Sequence, residues 1–144
     1  MIFPVKIDYS SKAYNEMVAL RYKVLREPFG LTFSDEDLEQ DKDDILLGLD
    51  VPRPRRMAAC CILSPVNEEI VKLRQMAVDS TYQRCGFGTS MLSFAEYVAT
   101  REGFKAIILH DRKTAVDFYR KLDFIIEGEE FIEVGIPHFK MEKQ

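Results

Sequence analysis

One segment with two glycines has the residue types and the spacing to bind an anion. It reads Gln83-Arg84-Cys85-Gly86-Phe87-Gly88-Thr89 and joins an apolar, strand-like stretch to an amphipathic, helix-like stretch. Glycine allows a ligand to approach the backbone closely, and the unpaired N–H groups and dipole of a helix's first turn attract negative charge. Arg84 adds a full positive charge beside them. The segment therefore predicts a phosphate site; the alternative is that Gly86 and Gly88 serve only a tight turn and close helix packing.

Three phosphate-binding patterns compete for this segment. The dinucleotide fingerprint G-x-G-x-x-G needs a third glycine where Met91 stands, and a P-loop needs a lysine where Gly88 precedes Thr89. Neither pattern fits. The spacing Gln83-x-x-Gly86-x-Gly88 fits the Q/R-x-x-G-x-G/A pyrophosphate loop of the GCN5-related N-acetyltransferases (GNAT), and in this segment the chain resembles that family.

The resemblance covers roughly residues 15 to 141 and is strongest from 71 to 124. Residues 73–78 are similar to the family's fourth strand, and residues 115–124 are similar to its A-x-x-F-Y-x-K-x-G-F helix signature. The tail, residues 128–138, and the helix end, residues 20–26, are similar to the small bacterial branch known as ElaA-like. From this resemblance we expect a GNAT protein that is nearest to the ElaA-like branch.

This resemblance implies an α/β (α+β) fold whose mixed central sheet, flanked by helices, has splayed fourth and fifth strands. It also implies acetyl-CoA as the co-substrate, held between those strands with its pyrophosphate on the glycine loop. The sequence departs from the family pattern where Arg112 replaces an asparagine that contacts the pantetheine arm, and where Asp123 replaces a glycine. The residues that the resemblance assigns to acetyl-CoA are Met76, Ala77, Val78, Gln83, Arg84, Cys85, Gly86, Phe87, Gly88, Thr89 and Arg112.

Tyr119 and His110 are the candidate catalytic residues. The resemblance assigns to Tyr119 the protonation of the departing thiolate. A phenol, with an ordinary pKa of about 10, stays protonated at neutral pH and can give or share its proton as negative charge builds on sulfur. Without the resemblance, Tyr119 is a core aromatic. His110 ends a predicted strand, and an imidazole titrates near neutral pH, so it is a candidate base. No carboxylate is evident in the sequence to orient it, so water is the preferred base, with Glu36, Asp37 and Glu69 as weaker candidates.

The elements that must position these residues follow from hydrophobic periodicity and turn signals. The order is a strand, a helix, an antiparallel meander of three strands, a strand-helix-strand-helix unit with a right-handed crossover, and short closing strands. The predicted strands are 5–8, 45–49, 57–63, 70–78, 105–110, 124–127, 131–134 and 137–141. The predicted helices are 13–25, a short one capped by Ser34, 86–102 and 114–122.

Composition narrows the functional classes. With 144 residues, of which 47% are hydrophobic, the chain can bury a core, and one domain over residues 1–144 is predicted. A net charge of −4 argues against nucleic-acid binding, and the longest apolar run, residues 57–63, is too short for a membrane helix of roughly 20 residues. Three cysteines, two of them adjacent, indicate a reducing, cytoplasmic setting. His110 and His138 stand alone, so no metal site is predicted.

The leading hypothesis is an acetyl-CoA-dependent N-acetyltransferase that acts on a primary amine of a small molecule or a peptide, with a homodimer left open. A non-catalytic acyl-CoA-binding sensor or interaction module is the alternative, and the lack of a carboxylate on the fourth strand favours it. A different nucleotide-binding protein with the same glycine turn is a third.

Overall fold

The computed structural model describes residues 1–144, which form a seven-stranded mixed sheet in the order β1-β2-β3-β4-β5-β7-β6. The strands are β1 (Phe3–Ile7), β2 (Ile45–Val51), β3 (Arg56–Pro65), β4 (Ile70–Val78), β5 (Ala106–Arg112), β6 (Ile125–Glu133) and β7 (Ile136–Lys143). The helices are α1 (Lys12–Arg21), α2 (Asp35–Glu39), α3 (Phe87–Arg101) and α4 (Val116–Arg120). Only β4 and β5 pair in parallel, through the crossover that contains α3. The predicted α/β fold with a mixed sheet is confirmed.

Two hydrophobic cores lie on opposite faces of the sheet. The larger lies between the sheet and α3 and α4, and the smaller packs beneath α1. Successive residues of a strand point to opposite faces, so the adjacent Cys60 and Cys61 enter different cores. Both thiols are free and buried, and burial raises the pKa of each, so neither is a ready nucleophile.

The strands β4 and β5 separate halfway along their length. They pair from Ile70 opposite Ala106 to Leu73 opposite Leu109, and beyond that point β4 remains bonded only to β3. A β-bulge lies at the point of separation, where Gln75 has a φ of 55°. A bulge inserts a residue and bends its strand, so it turns the end of β4 away from β5. This is the splay that the resemblance implied.

Three local predictions differ from the structure. The helix predicted over 13–25 is α-helical only to Arg21, and Tyr22–Arg26 forms a π-helical segment. The last predicted helix is shorter: a 3₁₀ turn, Lys113–Ala115, precedes α4. The closing strands are two rather than three, because Gly128, at a φ of 78°, lies in an irregularity within β6 while the residues on both sides still pair with β7.

Candidate active site

A cleft of about 610 Å³ opens where β4 and β5 separate. Its residues come from both faces of the sheet. Leu73 and Leu109 point into the core beneath α3, so Lys72 and His110, which also line the cleft, point to the opposite face. We call the face of α3 and α4, with Met76, Asp111, Ala115 and Tyr119, the α3-side half. We call the face of α1 and α2, with Arg26, Lys72, His110, Arg112 and Glu133, the α1-side half.

The N-terminus of α3 is suited to an anion. Gly86 precedes the helix at a φ of 81°, and no side chain caps the first turn. A Cβ at Gly86 would meet nothing within 4 Å, so its backbone faces open space. Gly88 differs, because a Cβ there would lie 3.1 Å from the Phe118 ring. Close packing therefore explains Gly88, and the left-handed conformation explains Gly86.

The other loop residues predicted to bind the coenzyme surround this helix end. Arg84, Cys85 and Thr89 are exposed. Gln83 Nε2 donates to the Val78 carbonyl at 3.2 Å, which ties the loop to the end of β4. Phe87 packs edge-on against Tyr82, with ring centroids 5.3 Å apart.

The end of β4 presents its backbone beside this loop. Met76 and Val78 pack on the core beneath α3, and Ala77 on the core beneath α1. Because β4 has left β5, the backbone of these three residues has no strand partner on the β5 side. The continuous stretch 76–89 thus contains the strand edge, the loop and the helix end.

Arg112 lies apart from this stretch, on the α1-side half. Its Nη2 donates to the Leu25 carbonyl at 3.1 Å, and its guanidinium lies 4.1 Å from the Phe29 ring centroid. These contacts hold the side chain against the residues that follow α1. Its assignment to acetyl-CoA remains a prediction.

Tyr119 is both a core residue and a cleft residue. Its ring packs against Phe118 and Phe124, with centroids 5.0 and 5.7 Å away, and its hydroxyl donates to Met76 Sδ at 3.6 Å. Burial raises the pKa of the phenol strongly, and the charge of nearby Asp111 raises it further. The hydroxyl therefore keeps its proton at neutral pH and is available as a donor.

Asp111 is a cleft residue that sequence reasoning missed. It is buried, and neither carboxylate oxygen has a hydrogen-bond partner. Burial raises its pKa to about 6, although the nearness of its own backbone N–H and the charge of His138 act in the opposite direction. Its position could have signalled it, because Ile107, Leu109 and Asp111 alternate along β5 toward the same face, and the last of them is charged.

His110 has the carboxylate partner that the sequence did not show. Its Nδ1 lies 3.1 Å from Glu133 Oε1, and the other oxygen of Glu133 lies 3.7 Å from His138 Nε2. The expectation that no carboxylate orients the imidazole is wrong. Glu133 is 23 residues away in the sequence, and the pairing of β6 with β7 and of β7 with β5 brings it to His110.

Lys72 and Glu133 compete for the same nitrogen of His110. Lys72 Nζ lies 3.3 Å from His110 Nδ1. A carboxylate only accepts, so contact with Glu133 requires the proton on Nδ1 and leaves Nε2 with a free lone pair. An ammonium only donates, so contact with Lys72 requires the proton on Nε2. The neighbour that holds Nδ1 therefore decides whether Nε2 can accept a proton.

The three weaker base candidates lie in different places. Glu69 pairs with Lys105 at an exposed site outside the cleft, and Glu36 is exposed on α2. Asp37 lines the cleft, but its carboxylate accepts the backbone N–H of Ser34 in a capping box, which lowers the pKa of Asp37.

A buried ionic network supports the bulge of β4 from the α1 side. Asp41, fully buried, accepts from Arg21 Nη1 at 2.7 Å, from Arg74 Nη2 at 2.6 Å and from the Tyr14 hydroxyl at 2.7 Å. Arg21 Nε also donates to Gln75 Oε1 at 3.4 Å. The network thus joins α1, the residues after α2 and the bulge. Within it, carboxylates neutralise the charge of Arg74.

No helix is long and apolar enough to cross a membrane. No group of three or more His, Cys, Asp and Glu side chains is arranged to hold a metal ion.

Comparisons with known proteins agree with this geometry. A family model described as an acetyltransferase (GNAT) domain matches residues 61–144. YyaT of Bacillus subtilis, an uncharacterized protein, is 34% identical over 73 residues, which are 51% of this chain and 49% of YyaT. The chain thus spans about half the length of the curated relatives that it matches.

Two solved structures share the whole fold. Escherichia coli ElaA is 19% identical with a TM-score of 0.83, and the match covers all of both chains. A GNAT family acetyltransferase from Elizabethkingia anophelis, with acetyl-CoA bound, is 18% identical with a TM-score of 0.74, over 98% of this chain and 96% of that one.

Proposed function

The chain belongs to the GNAT acetyltransferase family, and we propose that it transfers an acetyl group from acetyl-CoA to a primary amine of a small molecule or a peptide. One observation carries this proposal: the opened edge of β4 and Tyr119 adjoin the same cleft, and the uncapped N-terminus of α3 follows the end of β4 through the loop 79–86.

Acetyl-CoA fits the residues of the α3-side half. The free backbone edge at 76–78 can pair with the amide groups of an extended pantetheine arm, as a sheet edge pairs with an added strand. The N–H groups at the start of α3 and the Arg84 side chain suit the pyrophosphate. The unpartnered oxygens of Asp111 are acceptors that a ligand N–H or O–H would satisfy. An N–H of Met76 or Val78 is the candidate oxyanion donor.

His110 and Tyr119 supply the proton transfers in this proposal. His110 Nε2 accepts the proton of the amine as the nitrogen forms its bond to the acetyl carbon, and Glu133 holds Nδ1. Tyr119 donates its phenolic proton to sulfur as the carbon–sulfur bond breaks. The products are an amide and a thiol, and exchange with solvent restores both side chains.

A non-catalytic acyl-CoA-binding module remains the second candidate. The absence of a carboxylate on β4 favours it. Glu133 beside His110 favours catalysis, because it orients a base from another strand.

The test is thiol release by the purified protein with acetyl-CoA and a panel of primary amines, together with thermal unfolding at increasing acetyl-CoA. We expect amine-dependent thiol release. We also expect about 2.7 kcal/mol of stabilisation at about 100 times the dissociation constant. Stabilisation without thiol release for any amine would support the binding module, and no stabilisation at millimolar acetyl-CoA would reject both.

Thr89→Glu tests the loop without weakening the helix. Thr89 is exposed at the third position of α3, where a glutamate is favourable to helix capping and to the dipole. The added charge should repel a pyrophosphate and remove the stabilisation by acetyl-CoA. Ser93→Glu, an exposed position one turn further along α3, is the matched control and should retain it.

A further inference from the structure

Three cations in the α1-side half have no carboxylate partner. Arg26, Lys72 and Arg112 are half-buried and line the same cleft, yet no ion pair of the molecule includes any of them. The whole chain carries a net charge of −4. An acidic protein thus concentrates unpaired positive charge in its cleft.

The two acids beside these cations, Asp37 and Glu133, contact other groups. Asp37 accepts the Ser34 N–H in its capping box, and Glu133 lies between His110 and His138. The fourth cleft cation, Arg74, differs from the other three because Asp41 and Asp44 neutralise it. The other three therefore have no ion-pair partner within the protein, and Asp37 and Glu133 act on Arg26 only through space.

Neutral contacts hold the two arginines in place. The Arg26 guanidinium lies 4.6 Å from the Phe33 ring centroid, and Arg112 is held by the Leu25 carbonyl and the Phe29 ring. Burial lowers the pKa of both guanidinium groups, and the charge of Arg26 lowers that of Arg112 further. Aromatic faces and a carbonyl fix a guanidinium but leave its charge available to a ligand.

The phosphates of acetyl-CoA are not the natural partner of this cluster. The proposed pyrophosphate site is the N-terminus of α3, which packs on one face of the sheet. Lys72 and Arg112 project from the opposite face, because Leu73 and Leu109 point into the core beneath α3 and side chains alternate along each strand. The cluster therefore faces the part of the cleft left for the acceptor.

Resting on the proposed function, we propose that the acceptor is an amine that also carries an anionic group, a carboxylate or a phosphate, and that Arg26, Arg112 and Lys72 bind this group. A guanidinium donates two parallel hydrogen bonds to either anion. The same charges destabilise an ammonium ion, so they favour the neutral, nucleophilic form of the bound amine. Polycationic amines are consequently poor acceptors.

Matched acceptors test this proposal. Thiol release is measured for 2-aminoethyl phosphate against 2-aminoethanol, for β-alanine against β-alaninamide, and for spermidine. We expect at least about tenfold higher kcat/KM for the anionic member of one pair, the size of one charge-assisted hydrogen bond. A preference within the first pair identifies a phosphate as the anionic group, and a preference within the second pair identifies a carboxylate. Equal rates within both pairs, or a preference for spermidine, would overturn the proposal and leave acetyl transfer standing.

Arg26→Gln locates the site. It should lower the preference for the anionic acceptor by about tenfold, while Lys23→Gln, an exposed position on the same π-helical segment and outside the cleft, should leave the preference unchanged. Equal effects of the two substitutions would show long-range attraction only and would overturn the assignment.

Calorimetry with inorganic phosphate and with β-alanine, at saturating coenzyme A, reports on the anion site without turnover. If no amine is acetylated but an anion binds and Arg26→Gln abolishes binding, the anion site stands and the proposed transfer falls. If amines are acetylated without anionic preference and neither anion binds, the anion site falls and the transfer stands. If there is neither turnover nor binding, both fall.

Discussion

The two parts of the proposed site are built in different ways. The groups proposed to bind acetyl-CoA come from one continuous stretch, 76–89, and are mainly backbone: a strand edge, a glycine turn and a helix end. The α1-side half comes from separate segments, with Arg26 after α1, Lys72 on β4, His110 and Arg112 on β5, and Glu133 on β6. It offers charged side chains.

The two parts of the proposed site bind different kinds of molecule, a co-substrate and an acceptor. Backbone groups suit a co-substrate of fixed structure, because they recognise its amides and phosphates whatever side chains surround them. Side chains suit an acceptor whose charge must be matched individually. We therefore expect substitutions in the two parts to have separable effects.

The largest effect should come from the buried charges behind the α1-side half. Asp41→Asn removes the anion between Arg21 and Arg74 and leaves Arg21, which is 1% exposed, without a charged partner. We expect the free energy of unfolding to fall by about 3 kcal/mol or more, measured by chemical denaturation. Asp43→Asn, an exposed neighbour in no ion pair, is the control. Similar stability of both variants would show that the network contributes little.

Tyr119→Phe should separate chemistry from binding in the α3-side half. It removes the hydroxyl but keeps the ring that packs on Phe118 and Phe124. We expect kcat to fall by about 10²-fold or more, the usual size of a lost proton transfer, with stabilisation by acetyl-CoA retained. Steady-state kinetics and thermal unfolding measure the two quantities. Normal turnover would make Tyr119 a core residue whose hydroxyl is not needed.

Asp111→Asn should stabilise the protein in a pH-dependent way. The folded-state pKa of about 6 lies above the ordinary value of about 3.9, so ionisation of Asp111 opposes folding. Its protonated form is stabilising below about pH 4, and this contribution is lost as the pH rises through about 6. The variant should therefore match the wild type near pH 4 and exceed it by about 3 kcal/mol at pH 7.5. A constant difference across this range would show that Asp111 does not titrate as described.

Glu133→Gln should give the smallest effect and test the α1-side half as the source of the base. It removes the carboxylate that holds His110 Nδ1, and we expect kcat/KM to fall by about tenfold near neutral pH. His110→Ala should lower kcat/KM further, because it removes the proposed base itself. A pH dependence of kcat/KM near pH 6 that disappears in Asp111→Asn would belong to Asp111. A rate that climbs smoothly past pH 8.5 in every variant would restore water as the base.

The parts of the fold predicted well from the sequence are those governed by neighbours in the chain. The bounds of β4 were predicted as observed, and α3 within one residue at each end, because periodicity and the flanking glycines are local signals. Asp123 shows the same principle in a departure from the family pattern: it keeps the left-handed conformation, with a φ of 71°, that a glycine would adopt. The break within β6 was misjudged because a glycine in a strand marks either a turn or a bulge, and only pairing with β7 distinguishes them.

The sequence by itself determined the glycine turn before an amphipathic helix, and local backbone geometry alone makes such a helix end suited to an anion. The role of Glu133, the isolation of Asp111 and the convergence of Arg26, Lys72 and Arg112 were decided only by tertiary structure. Strand register and the course of the chain after α1 bring these side chains together although they lie far apart in the sequence. Their charges interact through space, so neighbours in the sequence do not reveal them.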